Sequence, residues 1–267
     1  MRSNNQKLSD WGLCWLAVNA IPLLLTIGLM RAQTTPATPG LQGQSGSPQT
    51  PATPSSPVQA PPGFIPAAKP LVMIDPAHGG SESGAVLNPA ILEKDVTLAA
   101  ARRLRGDLNA HGILAELVRD GDITLSTDDR AAKANSEHPV LYICLHATSE
   151  AGGMKIYSAM LGEAQENNGP FVDWNTAQSS SLASSRSAQQ QLAAAIQKSG
   201  ISARSLRAPL RPLNNVTTTA LGIELAPTTA DVSQFMSADY QQNMAAVLAN
   251  GIAEVLSSLG TNPGASR

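Results

Sequence analysis

Two histidines and a glutamate in the middle of the chain have the side-chain types that bind a metal ion. His78 lies four residues after a short apolar run, in the glycine-containing turn Asp75–Gly80, and His146 directly follows a second apolar run, 140–145. Glu93 opens a segment whose apolar residues recur at helical spacing. Two imidazoles and one carboxylate suit a catalytic zinc ion, which keeps one position for water. The sequence therefore predicts a candidate zinc site.

Each of these three residues also has an ordinary structural interpretation. His78 suits a turn, His146 suits a packed strand end, and Glu93 suits the first turn of a helix, where the macrodipole favours an acid. The metal interpretation is favoured by their shared position. If the strands are parallel, all three residues meet at one sheet edge, the edge at which open α/β sheets bind ligands. The residues alone leave both interpretations open.

Glu224 is a fourth candidate, on a separate element. It interrupts the apolar run Leu221–Leu225, which reads as a buried strand. A carboxylate in such a strand is costly unless it is paired, protonated or near a metal. A general base or acid next to metal-activated water would account for it.

The remaining pattern alternates strands with helices. Predicted strands cover 71–74, 113–118, 140–145, 154–158 and 221–225; predicted helices cover 93–110, 126–135 with Ser126 as N-cap, 187–198 and 240–259. The polar stretch 162–187 is expected to be irregular and to form part of a cleft rim. This order predicts a single α/β domain with a mostly parallel central sheet and helices on both faces.

The folded domain is expected at 70–260, after two segments of different character. In 1–31, the uncharged run Trp11–Met30 is preceded by Arg2 and Lys7 and followed at once by Arg31, as in a signal peptide or a membrane anchor. Both alternatives imply export of the rest of the chain. The proline-rich stretch 32–69 is predicted to be a disordered linker, and 261–267 a disordered tail.

Charge and cysteine content exclude several classes of protein. With 18 basic and 20 acidic residues, the net charge is −2, so the basic surplus needed for binding nucleic acid is missing. The two cysteines, Cys14 and Cys144, lie in different regions and suggest neither a disulfide framework nor a thiolate zinc site. Any metal is therefore expected on histidine and carboxylate ligands.

Several motifs together resemble the zinc-dependent N-acetylmuramoyl-L-alanine amidases of the bacterial cell wall, the amidase type 3 family. The matching segments, in chain order, are Val72–Gly80, Ser83–Ala85, Leu92–Asp95, Leu117–Asp122, Asp129–Asn135, Leu145–Ala147 and Ile223–Leu225. They correspond to the family's opening histidine motif, its second-strand and short-helix motifs, its second histidine motif and its late catalytic-glutamate strand. The resemblance runs from about residue 70 to 259 and is stronger in its first half.

This resemblance implies a zinc hydrolase of peptidoglycan. One Zn²⁺ would be bound by His78, Glu93 and His146, and Glu224 would be the catalytic acid/base. The bond cleaved would join N-acetylmuramic acid to the first L-alanine of the stem peptide, in the periplasm or cell envelope. The alternative is a non-catalytic peptidoglycan-binding or regulatory protein that keeps the fold. A protein activator, and the membrane if the N-terminal segment is retained, stay open as further partners.

Overall fold

The computed structural model describes residues 70–161 and 174–260. Its strands are β1 (Leu71–Pro76), β2 (Val86–Asn88), β3 (Ile91–Leu92), β4 (Leu114–Leu117), β5 (Leu141–Ala147), β6 (Met154–Ala159), β7 (Ala203–Ala208) and β8 (Ala220–Leu225). Its α-helices are α1 (Glu93–Ala110), α2 (Thr127–Glu137), α3 (Leu182–Lys198) and α4 (Ala238–Gly260). Short 3-10 helices lie at Trp174–Ser181, Leu213–Asn215 and Val232–Met236.

The central sheet has six strands in the order β4-β1-β5-β8-β6-β7. Neighbouring strands are parallel except β6 and β8, which are antiparallel. The carboxyl ends of β4, β1, β5 and β8 therefore lie at one edge, together with the amino ends of β6 and β7. The predicted mostly parallel α/β sheet is confirmed, and all six strands have an end at the edge that carries the candidate site.

Two apolar layers cover the sheet. The larger packs α1, α3 and α4 onto one face, through residues such as Ile74, Ile143 and Ile223. The smaller packs α2 and the segment around Leu213 onto the other face, against Tyr142 and Cys144. Burying apolar side chains on both faces explains why β5 is a nearly continuous apolar run.

The bounds of the first helix and the cap of the second agree with the sequence predictions. α1 spans Glu93–Ala110 as expected. In α2, the Ser126 hydroxyl accepts a hydrogen bond from the Asp129 amide at 3.0 Å, which confirms Ser126 as the N-cap. The predicted strands at 140–145 and 221–225 correspond to β5 and β8, with ends that differ by at most two residues.

In the second half of the domain, one prediction was wrong and one strand was not predicted. α3 begins at Leu182 rather than Ser187, so residues 182–187 are helical and not irregular. Its first turns lack an apolar period because the buried Ser185 hydroxyl bonds to Gln178 and to the Ala220 amide. Strand β7 was missed because four consecutive residues of this edge strand are exposed, which hides the alternation of a half-buried strand.

Several predictions fall outside the described residues. These are the N-terminal segment 1–31, the linker 32–69, the residues 162–173 of the expected cleft rim, and the tail 261–267. Among residues 70–161 and 174–260, none of the helices combines the length and apolar character needed to cross a bilayer.

Candidate metal centre and active site

His78, Glu93 and His146 converge at the carboxyl edge of the sheet. One ligand atom from each lies within 4.8 Å of the other two. Glu93 lies between the histidines, with Oε2 at 3.3 Å from His78 Nε2 and Oε1 at 2.8 Å from His146 Nδ1. The imidazole rings are 5.4 Å apart between centroids and nearly perpendicular. The structure thus brings together the three residues that the sequence singled out.

The start of α1 positions Glu93. The hairpin formed by β2 and β3 leads the chain into the helix, and the Glu93 amide donates to the Ala85 carbonyl at 2.9 Å. The Glu93 carboxylate accepts hydrogen bonds from the backbone amides of Ala85 at 2.8 Å and Ala147 at 3.2 Å. These bonds hold an almost fully buried carboxylate between the two histidines, in the first helical turn where negative charge is favoured.

His78 occupies a turn with a left-handed backbone conformation. Its φ angle is +61°, which is uncommon for a residue other than glycine. Arg130 of α2 supports the turn by donating to the His78 carbonyl at 2.6 Å and the Pro76 carbonyl at 2.9 Å. Gly84 packs beneath the site, and a Cβ there would lie 2.5 Å from His78 Cδ2 and 2.6 Å from Glu93 Oε2. The absence of a side chain at Gly84 leaves the space that these two groups fill.

The hydrogen bonds around Glu93 keep it ionised. Burial by itself would raise the pKa of Glu93, but the bonds from His146, His78 and the Ala85 amide outweigh burial and hold that pKa well below its usual range. The hydrogen bond to Glu93 is also the main reason that the pKa of His78 is raised above 6.5, against the opposing effect of burial. A carboxylate that stays charged is the form that binds a cation.

The donor set fits a zinc ion. Zinc bonds to nitrogen and oxygen of about 2.0 to 2.1 Å place adjacent tetrahedral ligand atoms about 3.3 Å apart. His78 Nε2 and Glu93 Oε2 are 3.3 Å apart, and the three candidate ligand atoms lie within 4.8 Å of one another. Cys144 lies near His146, but burial raises the pKa of its thiol well above the usual value, so it is not the thiolate that zinc prefers. With three protein ligands, a zinc site here would keep one position for water.

Glu224 lies beside this cluster. It is the register partner of His146 on the neighbouring parallel strand, so both side chains project from the same face of the sheet. Its side chain is 20% exposed rather than buried as the sequence suggested, and it is paired. Lys155 Nζ donates to Glu224 Oε1 at 2.6 Å, and the Tyr157 hydroxyl donates to Oε2 at 3.2 Å.

These two partners of Glu224 could not be recognised from the sequence. Lys155 and Tyr157 alternate with buried residues in β6, which is an ordinary pattern for a strand with one polar face. Their relation to Glu224 depends on the antiparallel pairing of β6 with β8. That pairing joins elements about 70 residues apart, and no local sequence motif predicts it.

A buried polar cluster beneath the turn of His78 was also missed. Asp75, at the end of β1, accepts hydrogen bonds from Arg130 and from the Tyr142 hydroxyl, and all three side chains are buried. Arg119, also buried, donates to the carbonyls of Pro76 and Ala77 at 2.9 and 3.0 Å. Two arginines thus satisfy the backbone carbonyls of the segment that leads to His78.

Comparisons with known proteins identify the family of this chain. A family profile described as N-acetylmuramoyl-L-alanine amidase matches residues 72–254. The amidase AmiA of Salmonella typhimurium is 37% identical over 95 residues, which cover 34% of this chain and 33% of AmiA. The amidase LytC of Bacillus subtilis is 39% identical over 84 residues, covering 32% of this chain and 17% of LytC. The matched region thus spans a third or less of these two relatives.

Solved structures show the same fold over a larger share of the chain. The N-acetylmuramoyl-L-alanine amidase AmiC2 of Nostoc punctiforme superimposes with a TM-score of 0.56 at 24% identity, covering 70% of this chain and 97% of that one. At this identity, the likeness concerns the fold.

Proposed function

Since the chain belongs to the N-acetylmuramoyl-L-alanine amidase family, we propose that it hydrolyses the amide between N-acetylmuramic acid and L-alanine in peptidoglycan. The observation that carries the proposal is the convergence of His78, Glu93 and His146 at one point, with Glu224 in register beside them. In this proposal the first three residues bind one zinc ion, Glu224 is the catalytic acid/base, and the catalytic domain spans 70–260.

The bound zinc would polarise the scissile carbonyl and make water more acidic. Glu224 then accepts a proton from the attacking water and returns it to the departing nitrogen, since an amine leaves readily only when protonated. Lys155 and Tyr157 each occupy one acceptor position on the Glu224 carboxylate. An ionised carboxylate has about four such positions, so both oxygens can still accept a proton. The two donors hold the carboxylate in one orientation while it acts.

The test is hydrolysis of purified cell-wall sacculi by the full-length chain loaded with zinc. The parent is expected to release free stem peptides from intact glycan strands. Glu224→Ala should abolish release while zinc content stays near that of the parent, whereas His78→Ala should lose zinc and activity together, because removing a ligand weakens the site itself.

The outcomes of this assay separate the alternatives. Zinc binding by the parent without release of stem peptides would favour a non-catalytic wall-binding protein. Activity of Glu224→Ala equal to that of the parent would refute the role assigned to Glu224.

We also propose that the chain is exported to the periplasm or cell envelope. The support is the uncharged run Trp11–Met30, which has Arg2 and Lys7 before it and Arg31 directly after it, followed by a proline-rich stretch. Mass spectrometry of the mature N-terminus distinguishes a cleaved signal peptide from a retained anchor.

A further inference from the structure

The row of side chains that begins at His146 continues past Glu224 to the edge of the sheet. Glu224 pairs in register with His146 on one side and with Lys155 on the other, and Lys155 pairs with Arg204 of β7. Register partners on adjacent strands project from the same face. An imidazole, a carboxylate, an ammonium and a guanidinium therefore lie in one line across four strands.

The two cations of this row are in different situations. Lys155 contacts Glu224 at 2.6 Å and Glu150 at 3.4 Å, and its side chain is only 17% exposed. Arg204 is exposed, and within 70–161 and 174–260 it has no acidic group in ion-pair contact. Its charge nonetheless acts on Tyr157, whose pKa is raised mainly by burial, with Arg204 among the influences that lower it. Arg204 is thus the cation of the row that is available to a ligand.

The length of the row fits a short peptide. Adjacent strands lie about 4.8 Å apart, so three steps from β5 to β7 span about 14 Å. An extended peptide advances about 3.3 Å per residue, so about four residues cover this distance. A substrate that runs from the candidate metal centre along the row would bring a group about four residues from the scissile amide to Arg204.

We propose that Arg204 forms a subsite that binds a carboxylate of the stem peptide, about four residues from the scissile amide. The planar guanidinium presents paired N–H donors that match a carboxylate. The carboxylate must belong to the peptide because the lactyl carboxyl of the muramic acid is consumed in the scissile amide. This inference rests on the proposed function, and it makes Arg204 a residue that determines substrate specificity.

Arg207 of the same strand provides a matched control. It is also exposed and likewise lacks an ion pair among the described residues. It lies three positions after Arg204, so it projects from the opposite face, where it lines a shallow cleft with Arg186 and Gln189. Arg204→Ala and Arg207→Ala each remove one arginine from the same exposed edge strand, but only Arg204→Ala removes a member of the row that begins at His146.

The experiment measures kcat and KM of the full-length chain on soluble muramyl peptides with stems of four or more residues. Each peptide is prepared with its carboxylates free and with them amidated. Arg204→Ala is expected to raise KM about tenfold for the free form, as loss of a charge-assisted hydrogen bond does, with kcat nearly unchanged. For the amidated form its KM should match that of the parent. Arg207→Ala should match the parent on both forms.

A different pattern would overturn the subsite. An equal rise of KM for Arg204→Ala on both peptide forms would mean that Arg204 does not bind the carboxylate. A rise of KM for Arg207→Ala on the free form equal to that for Arg204→Ala would mean the same. If the parent hydrolyses neither form, the proposed function fails. The subsite is then judged from the dissociation constants of the same peptides for the parent and for Arg204→Ala, and equal constants would overturn it.

Discussion

At the scale of single residues, Glu93 links the two histidines. Each of its carboxylate oxygens contacts one imidazole, and two backbone amides complete its hydrogen bonds. A buried carboxylate with this many donors stays ionised, and it in turn favours the protonated form of His78. If this cluster binds zinc as proposed, protons and zinc compete for it, and metal binding depends on pH.

Zinc binding is expected to weaken as the pH falls through the raised pKa of His78. Below this pKa the imidazole carries a proton, and the zinc dissociation constant should rise about tenfold per pH unit for one displaced proton. Without metal, the contact between His78 and Glu93 stabilises the protein fully below pH 6.5, and this contribution is lost as the pH rises through the raised pKa. The increase in Tm caused by zinc should therefore grow from about pH 5.5 to about pH 8.

Glu82→Gln provides a control that leaves all three candidate ligands in place. Glu82 lies 4.0 Å from His78 Nδ1, and its charge contributes to the raised pKa of His78. Removing that charge should move the loss of zinc affinity to lower pH. A shift to higher pH would contradict the role given to these charges.

At the scale of secondary-structure elements, the site depends on how the turn of His78 meets the start of α1. The hairpin of β2 and β3 lies between them and returns the chain to the sheet edge. Just before this hairpin, the chain passes under His78 and Glu93 at Gly84. Gly84 has a φ of +66°, a backbone conformation that glycine adopts without strain. The close approach of three chain segments requires this residue to lack a side chain.

Gly84→Ala is expected to damage the candidate metal site more than the fold. The new methyl group would overlap His78 and Glu93, and zinc affinity should fall about 10- to 100-fold, as when support around a metal ligand is lost. Gly106→Ala, on the exposed side of α1 with nothing near its Cβ, should bind zinc normally and stabilise the protein by about 0.5 to 1 kcal/mol. Calorimetric zinc titration and thermal unfolding measure both effects, and equal zinc affinity of the two variants would contradict the prediction.

At the scale of the whole molecule, a buried charge pair joins helix α2 to the central sheet next to the candidate site. Arg130 extends from α2 to Asp75 at the end of β1, and the Tyr142 hydroxyl of β5 donates to the same carboxylate. The same guanidinium donates to the backbone carbonyls of Pro76 and His78. One cluster thus connects α2, two central strands and the turn that carries a candidate ligand.

Arg130→Met is expected to lower the free energy of unfolding by about 3 to 5 kcal/mol, because it leaves the Asp75 charge buried without its partner. The matched control is Arg105→Met. Arg105 pairs with Asp120 at the surface, where an ion pair contributes about 1 kcal/mol or less. Urea unfolding followed by circular dichroism measures both values. Equal losses in the two variants would show that burial of the pair is not the cause.

Local sequence predicted the residues that end strands or begin helices. The apolar run of β5, the helical spacing of α1 and the Ser126 cap each follow from side chains close together in the chain. His78, Glu93 and His146 were recognisable because each follows or opens such an element. Parallel strands covered by helices place those ends at one edge, so the convergence of the three could be expected before any coordinates.

Only the tertiary structure decided what surrounds Glu224 and how far its row extends. The contact with Lys155 requires β6 to pair antiparallel with β8, and the position of Arg204 requires the exposed strand β7, which has no apolar alternation. Likewise, Asp75 and Arg130 are 55 residues apart, and their pairing is set by the packing of α2 on the sheet. Short-range sequence patterns predict whether a segment is a helix or a strand, whereas the register between distant strands depends on the packing of the whole chain.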